Sequence, residues 1–411
     1  MPPGEIEASR AGAPEPLLTW AASGVPPLCG HPAGPPLVPP GNAAAVAARL
    51  GERFGLDGAR LLSERAAFTG QRRRGRTSAG GACRLLPTAD GWAAISCARP
   101  DDPALLGALA GAEVDGDPWP VLVPWLRDHG GAELAERAAL LGVAAGPVRT
   151  PPAAPRVPRP LSPRPLDGAL VVDFSALWAG PLCAHLLGLA GARVVKVETP
   201  SRPDGARRGD TGFYDLLHAG HRSVVLDPAD PAGRRAMAAL VDAADIVIEA
   251  SRPRALARFG LDAEAAVAAG TTWVSITAFG RGDGRVGFGD DVAAGGGLVC
   301  RDGDGTPLFC GDAIADPLTG LTAASLAATA PSDGAGVLWD VSMRDVVAAT
   351  LPPGDPSPSP PAVRRGGAWL VDTGTGAVPV ADPARREPSG AAPAMGHDTA
   401  EVLADLGIPV P

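Results

Sequence analysis

Lysine is nearly absent from this chain. Lys196 is the single lysine among 36 basic residues, while alanine, glycine, proline and arginine are abundant. That skew follows coding composition, so arginine counts alone carry no functional weight. An excess of positive charge is also missing. The formal net charge is -9, which excludes a general nucleic-acid binder, because phosphate contacts need a basic surface field. The six cysteines, Cys29, Cys83, Cys97, Cys183, Cys300 and Cys310, include no CxxC pair, so reduced thiols and no metal site are expected. No secretory n-region and h-region precede them, and a cytoplasmic protein is expected. The longest apolar tract, "ALVVDFSALWAGPLCAHLLGLAGARVV", is broken by Asp173, His185 and Arg193. Such residues are costly in a bilayer, so no membrane span is expected.

What is present is a long chain with 45% hydrophobic residues over 411 positions, enough for two or three domains with a sizeable core. Two proline-rich stretches, "TPPAAPRVPRPLSPRP" and "LPPGDPSPSPPAVRR", read as boundaries, since proline removes backbone donors and favours extended linkers. They divide the chain into a small α+β domain (1–150), a linker (151–166), a core (167–350), a second linker (351–366) and a tail (367–411) whose helix returns to the core. In the core, short β-branched runs recur: "ALVVDF", "RVVKVE", "SVVLD", "DIVIEA" and "TWVSITAFG". Helix-like stretches such as "PAGRRAMAALVDAA" lie between them. The fold class expected is α/β, a Rossmann-like parallel-sheet core domain with a second, smaller α+β domain. Ligands of such sheets bind at the carboxyl ends of the strands. The first turn, "SALWAGPLCAHLLG", lacks GxGxxG, which removes support for a dinucleotide site. In the N-terminal segment "CRLLPTADGWAAISC" reads as two strands around an Asp-Gly turn, followed by the helical "DPWPVLVPWLRDHGGAELAERAALLG".

One carboxylate stands out, Asp316 in "FCGDAIADPLTGLTAA". As an N-cap before Pro317 at the first helical position it would satisfy orphan amides. As a nucleophile it would use the same helix dipole to stay ionised. A weak internal echo links residues 21–48 with 293–324, and the first copy has no aspartate where the second has Asp316. His185 falls on an apolar helix and reads as a satisfied core histidine. Lys196 and Glu198 fit either a site edge or a strand-end ion pair.

Together these blocks resemble the family III CoA-transferases. The similarity is carried by "LVVDFSALWAGPLCAHLLGLAGARVVKVETP", "HAGHRSVVLDPADPAGRRAMAALVDAADIVIEASRPRALARFGLD", "TWVSITAFG", "LWDVSMRDVV" and "AMGHDTAEVLADLGI". It covers roughly 167–348 and 395–408. The resemblance implies that Asp316 is the nucleophile and that Leu177, Trp178, Arg222, Ala255, Arg258, Arg285 and Met343 lie near coenzyme A. It implies acyl-CoA and a free carboxylic acid as substrates, no prosthetic group and a homodimer. The stretch that resembles the family's small domain precedes the core here, so the domain order looks rearranged. An acyl-CoA racemase of the same superfamily and a non-catalytic CoA-binding protein are the alternatives. The racemase histidine would fall in "VGFGDDVAAGGG", which offers only Asp290 and Asp291. Asp312 stands as the natural control for Asp316.

Overall fold

The computed structural model describes residues 16–149, 154–250, 253–354, 357–372 and 376–411. The helices α1 (Pro16–Ala22), α2 (Ala43–Glu52) and α3 (Glu64–Thr69) open it, with the single turn Gly58–Leu61 between the last two. They do not form a separate domain. Trp20, Val25, Cys29, Ala43, Ala44, Ala47, Leu61 and Leu62 share one core with the central sheet. The expected small domain of residues 1–150 is therefore divided in space. Only its second half has a core of its own, in which Ile95, Leu106, Leu122, Leu126 and Leu134 meet. There β1 (Cys83–Thr88) and β2 (Gly91–Ser96) make the expected antiparallel hairpin, and β3 (Ala145–Pro147) pairs with β2. Helices α4 (Asp102–Leu109), α5 (Trp119–Asp128) and α6 (Gly131–Leu141) accompany them.

The central sheet is built from β4 (Leu170–Asp173), β5 (Arg193–Glu198), β6 (Arg222–Val225), β7 (Ile246–Glu249), β8 (Thr272–Thr277) and β9 (Val337–Ser342). Its order is β9-β8-β7-β4-β5-β6, and every pairing is parallel. The near-continuous apolar runs seen in sequence follow from burial on both faces. Val171, Ile246, Ile248, Val274 and Val341 point to one layer. Leu170, Val172, Val247 and Trp273 point to the other, where helix Pro231–Ala243 packs. The expected α/β class is observed.

On the first face lie α7 (Ala179–Leu189) and, beyond α8 (Gly289–Gly295), the helix α9 (Ala315–Ala327). Helix α9 is apolar nearly all round because its neighbours surround it. A Cβ added at Gly320 would stand 2.7 Å from the Ala179 carbonyl oxygen and 3.0 Å from Leu182 Cβ. The glycine is what lets the two helices approach.

The proline-rich stretches are pinned to the structure. Ser162–Pro163 pairs with Thr329–Ala330. In the second stretch Ala362 donates to Pro36 O and Val38 donates to Pro360 O. A three-stranded sheet follows, β10 (Val363–Arg365), β11 (Ala368–Asp372) and β12 (Ala377–Pro379). The tail ends in α10 (Thr399–Asp405), which covers the exposed edge at β6. There the Ser223 amide donates to Asp398 Oδ2 and the Val225 amide to Thr399 Oγ1. An uncovered edge would invite pairing with another chain. No helix among the described residues is long and apolar enough to cross a membrane.

A glycine-to-alanine change inside a helix ordinarily stabilises it by about 1 kcal/mol. At Gly320 the contacts reverse the sign, and Gly320→Ala is expected to destabilise the protein by about 1–3 kcal/mol through overpacking. Urea unfolding of the variant measures it, and a gain in stability would refute the packing account.

Candidate active site

The carboxyl ends of the parallel strands converge on one cavity of about 280 Å³. Leu177 follows β4, Ala250 follows β7, Thr277 and Ala278 lie at the end of β8, and Met343 follows β9; all of them line it. Asp316 forms part of its wall, and the small antiparallel domain contributes Arg99. Such a crevice is where open α/β sheets bind ligands.

Asp316 sits in the first turn of α9, but it is not the cap. The N-cap is Ile314, with no side-chain cap bond, and the Asp316 amide donates to Ala313 O at 2.9 Å. Pro317 is accordingly the third helical residue, two positions further in than a first-position proline. The turn that delivers Asp316 is strained, since Ala313 has φ 46°, a left-handed conformation that costs a non-glycine residue about 1–2 kcal/mol. The Ala313 amide is held there by Asp290 Oδ1 at 2.9 Å. Beneath the carboxyl group lies Gly289, where an added Cβ would stand 2.0 Å from Asp316 Oδ2. The carboxylate fits because that side chain is missing.

The surrounding charges are unequal. Arg65, from α3, donates to Asp312 through Nε at 2.8 Å and Nη2 at 2.5 Å. The Gln71 amide nitrogen, oriented as its partners require, donates to the same carboxylate at 2.8 and 2.7 Å. The Arg65 guanidinium also lies over the Trp178 ring, 4.7 Å from its centroid. Burial opposes the charge on Arg65, but Asp312, with help from Asp290 and Asp316, holds its pKa up. One cation thus faces three carboxylates. Burial pushes the Asp316 pKa up to about 7, Asp290 and Asp312 add to the rise, and Arg65 and the Ala179 amide oppose it. Asp290 is raised to about 6 by burial and by Asp312. Asp291 is raised to about 7, chiefly by burial, while it accepts from Ser96 Oγ at 2.7 Å and from the Phe288 amide at 3.0 Å.

Of the residues expected near the ligand, Leu177, Arg285 and Met343 do line the cavity with Asp316. Arg285 is committed to Asp283, with Nη2 at 2.6 Å from Oδ2, and stacks over Phe279 at 4.0 Å. The structure does not bring the others there. Trp178 is buried behind the site, edge-on to Phe213 at 5.3 Å. Arg222 begins β6 at the opposite end of the sheet and binds Glu401 and Asp405, each at 2.7 Å, so it braces α10. Ala255, half-buried in the helix Pro253–Ala257, and the exposed Arg258 just after it are not among the residues that line the cavity. Asp312 is no neutral control, because its enclosed carboxylate is the partner of Arg65. His185 is a satisfied core histidine: its ring meets Arg386 Nη1 at 3.0 Å, and burial pushes its pKa down to about 3. Lys196 is a buried strand-end ion pair, 3.0 Å from Asp204 and 3.9 Å from Asp173. Burial would lower its pKa, but those two carboxylates outweigh it.

The sequence reading missed Arg65, Arg99 and Arg202. Arg99 and Arg202 line the cavity. Arg99 is held by Asp102 at 2.7 Å, while Arg202 has no ion-pair partner among the described residues. No local motif marks any of them, because their position depends on packing between distant segments.

Comparison with known proteins agrees with the resemblance over the core. Residues 166–354 match the sequence profile of CoA-transferase family III. The chain is 32% identical over 207 residues to succinyl-CoA–D-citramalate CoA-transferase of Chloroflexus aurantiacus, covering 46% of this chain and 52% of that protein. It is 32% identical over 200 residues to formyl-CoA:oxalate CoA-transferase of Afipia carboxidovorans, covering 44% and 47%. A solved CAIB/BAIF family protein from Brucella suis is 30% identical, with a TM-score of 0.42, covering 46% of this chain and 55% of that one. The chain spans about half the length of the curated relatives it matches.

Two outcomes follow from the charge cluster. Asp316 keeps its proton in the folded chain at pH values where the unfolded chain has lost it. Stability from this site therefore declines as pH rises from the ordinary aspartate range to about 7. Asp316→Asn removes that decline, so in urea unfolding the gain of the variant over the native chain should widen across that window and level off above it. Arg65→Met should cost about 3–5 kcal/mol by leaving Asp312 unpaired and should raise the Asp316 pKa further, as read by carbon-detected NMR of aspartate side chains. An unchanged Asp316 titration would break the assigned coupling.

Proposed function

We propose that this protein moves coenzyme A from an acyl-CoA to a free carboxylic acid, with Asp316 as the nucleophile, a reading supported by the match of residues 166–354 to CoA-transferase family III. One observation carries the choice. Two carboxylates line the cavity, and Asp283 is neutralised by Arg285, whereas Asp316 has no ion pair among the described residues. Its raised pKa makes it a stronger nucleophile than an ordinary aspartate once ionised.

In the first half-reaction an Asp316 carboxylate oxygen attacks the thioester carbonyl. The carbon–sulfur bond breaks, CoA leaves as thiolate and a mixed anhydride remains. The thiolate then attacks the aspartyl carbonyl, releasing the first carboxylic acid as its anion and leaving an aspartyl-CoA thioester. The acceptor carboxylate repeats the sequence in reverse, forming a second anhydride whose acceptor carbonyl is taken by the thiolate. The Ala179 amide, at the start of α7, already hydrogen-bonds the Asp316 carboxyl group and is placed to stabilise an oxyanion formed there. The cavity is small beside pockets of about 300–1,000 Å³ that enclose whole ligands. It suits the thioester end of the substrate, whose anionic groups would meet Arg202, which has no ion-pair partner among the described residues, beside the already paired Arg99 and Arg285.

The altered domain order belongs to the same reading. It is supported by Arg99, which reaches the cavity from a domain that precedes the core in sequence. A homodimer and a cytoplasmic setting are further parts of this proposal and rest on the family resemblance.

Incubation with a panel of short, branched and aromatic acyl-CoA donors, followed by intact mass measurement, tests the reading. A CoA adduct should form, hydroxylamine should remove it, and Asp316→Ala should abolish it, whereas Asp304→Asn, in an exposed turn, should leave it. Adduct formation should rise with pH through about 7, where Asp316 ionises. Absence of both adduct and exchange with every acid tried would sink the proposal, and deuterium uptake at the α-carbon without exchange would point to racemisation.

A further inference from the structure

Three of the six cysteines, remote in sequence, meet in the core. Cys29 follows the turn Pro26–Leu28, and Cys300 and Cys310 belong to the small hairpin in which Cys300 faces Leu308. Cys310 lies two residues beyond the hairpin strand Pro307–Leu308. All three are buried, and their Sγ atoms lie within 4.8 Å of one another. Buried thiols are often plain packing. Here they have directed partners. The Gly311 amide donates to Cys29 Sγ at 3.3 Å, the Cys29 thiol reaches Val25 O at 3.3 Å, and the Ser359 hydroxyl contacts Cys300.

A cation is held beside them. Arg73 donates to the carbonyls of His31, Pro27 and Gly34 at 3.0, 3.2 and 2.7 Å. No carboxylate neutralises it among the described residues, and its charge favours a thiolate at Cys29. A single ion bonded to three sulfurs at about 2.3 Å sets them about 4 Å apart, a spacing compatible with a trio that lies within 4.8 Å. Among the described residues no carboxylate or imidazole joins the three sulfurs. That donor set excludes hard cations such as Mg²⁺ and Ca²⁺, and it lacks the fourth ligand of a structural zinc site.

We propose that Cys29, Cys300 and Cys310 form a three-coordinate thiolate site for a soft monovalent cation of the Cu(I) class. Binding exchanges thiol protons for the ion, the protons passing to solvent, with no change of oxidation state. Cys29 Sγ holds the amide of Gly311, next to Asp312. The ion would therefore brace the loop that leads to Asp316.

The test uses the full chain, reduced and anaerobic, titrated with Cu(I) delivered from a coloured chelator. One ion per chain should bind with ultraviolet thiolate-to-metal absorption, X-ray absorption should count three sulfur neighbours, and thermal unfolding should move to higher temperature. Cys29→Ser, Cys300→Ser and Cys310→Ser should each weaken binding by more than the roughly 100-fold that loss of an outer-layer partner costs. Cys183→Ser should retain it. No uptake, uptake unaffected by the three substitutions, or a coordination shell other than three sulfurs would each overturn the proposal. If those variants fail to fold, the sulfur count in the native chain decides alone.

Discussion

The pairing of Arg65 with Asp312 is the contact on which the site depends. It joins α3 to the turn that carries Asp316, across a separation of 247 residues. Its cation is the main charge opposing ionised Asp290, Asp312 and Asp316 together. A buried ion pair of this kind adds little net stability, because desolvation offsets the attraction, but breaking it leaves a bare charge in the interior. Its value lies in position. With Asp312 pinned, the strained Ala313 and the first turn of α9 have a fixed origin, and the Asp316 carboxylate rests above Gly289 beside the cavity.

The sheet supplies the other constraint. Six parallel strands bring loops from β4, β7, β8 and β9 to one edge, and two apolar helices, α7 and α9, close against it through Gly320. Around this frame the polar groups are sorted by distance from the cavity. Lys196 with Asp173 and Asp204 locks the end of β5, Arg222 fastens the tail helix over β6, and Arg285 and Arg99 reach the cavity already paired. Asp316, desolvated and without an ion pair among the described residues, is the carboxylate on which the proposed reaction rests. The resting charge distribution thus separates carboxylates bound in ion pairs from Asp316, which has none among the described residues.

Much of the frame was legible along the chain. The β-branched runs announced all but one of the central strands because a parallel strand buried on both faces must be apolar throughout. The Asp-Gly turn located the hairpin, and the blocks shared with family III CoA-transferases singled out Asp316, Leu177, Arg285 and Met343. The reading of Asp316 as an N-cap failed because the helix begins two residues earlier than expected, at Ala315, and helix ends are the least determined feature of a sequence pattern. The placement of Arg222 failed for a different reason: guanidinium chemistry suits phosphate and carboxylate alike, and the carboxylates of α10 lie closer. The proline-rich stretches, read as linkers, are partly paired to the core through their carbonyls and remaining amides.

By itself the sequence determined what local pattern can encode: strand and helix periodicity, the parallel α/β class, the turn chemistry of the hairpin and the identity of one candidate nucleophile. The tertiary structure decided which distant residues share a dielectric environment. Arg65 beside Asp312, Arg99 at the cavity, and Cys29 with Cys300 and Cys310 are encounters between segments far apart in the chain. Charge, burial and sulfur contact depend on distance in space, and periodicity along a chain carries no record of it.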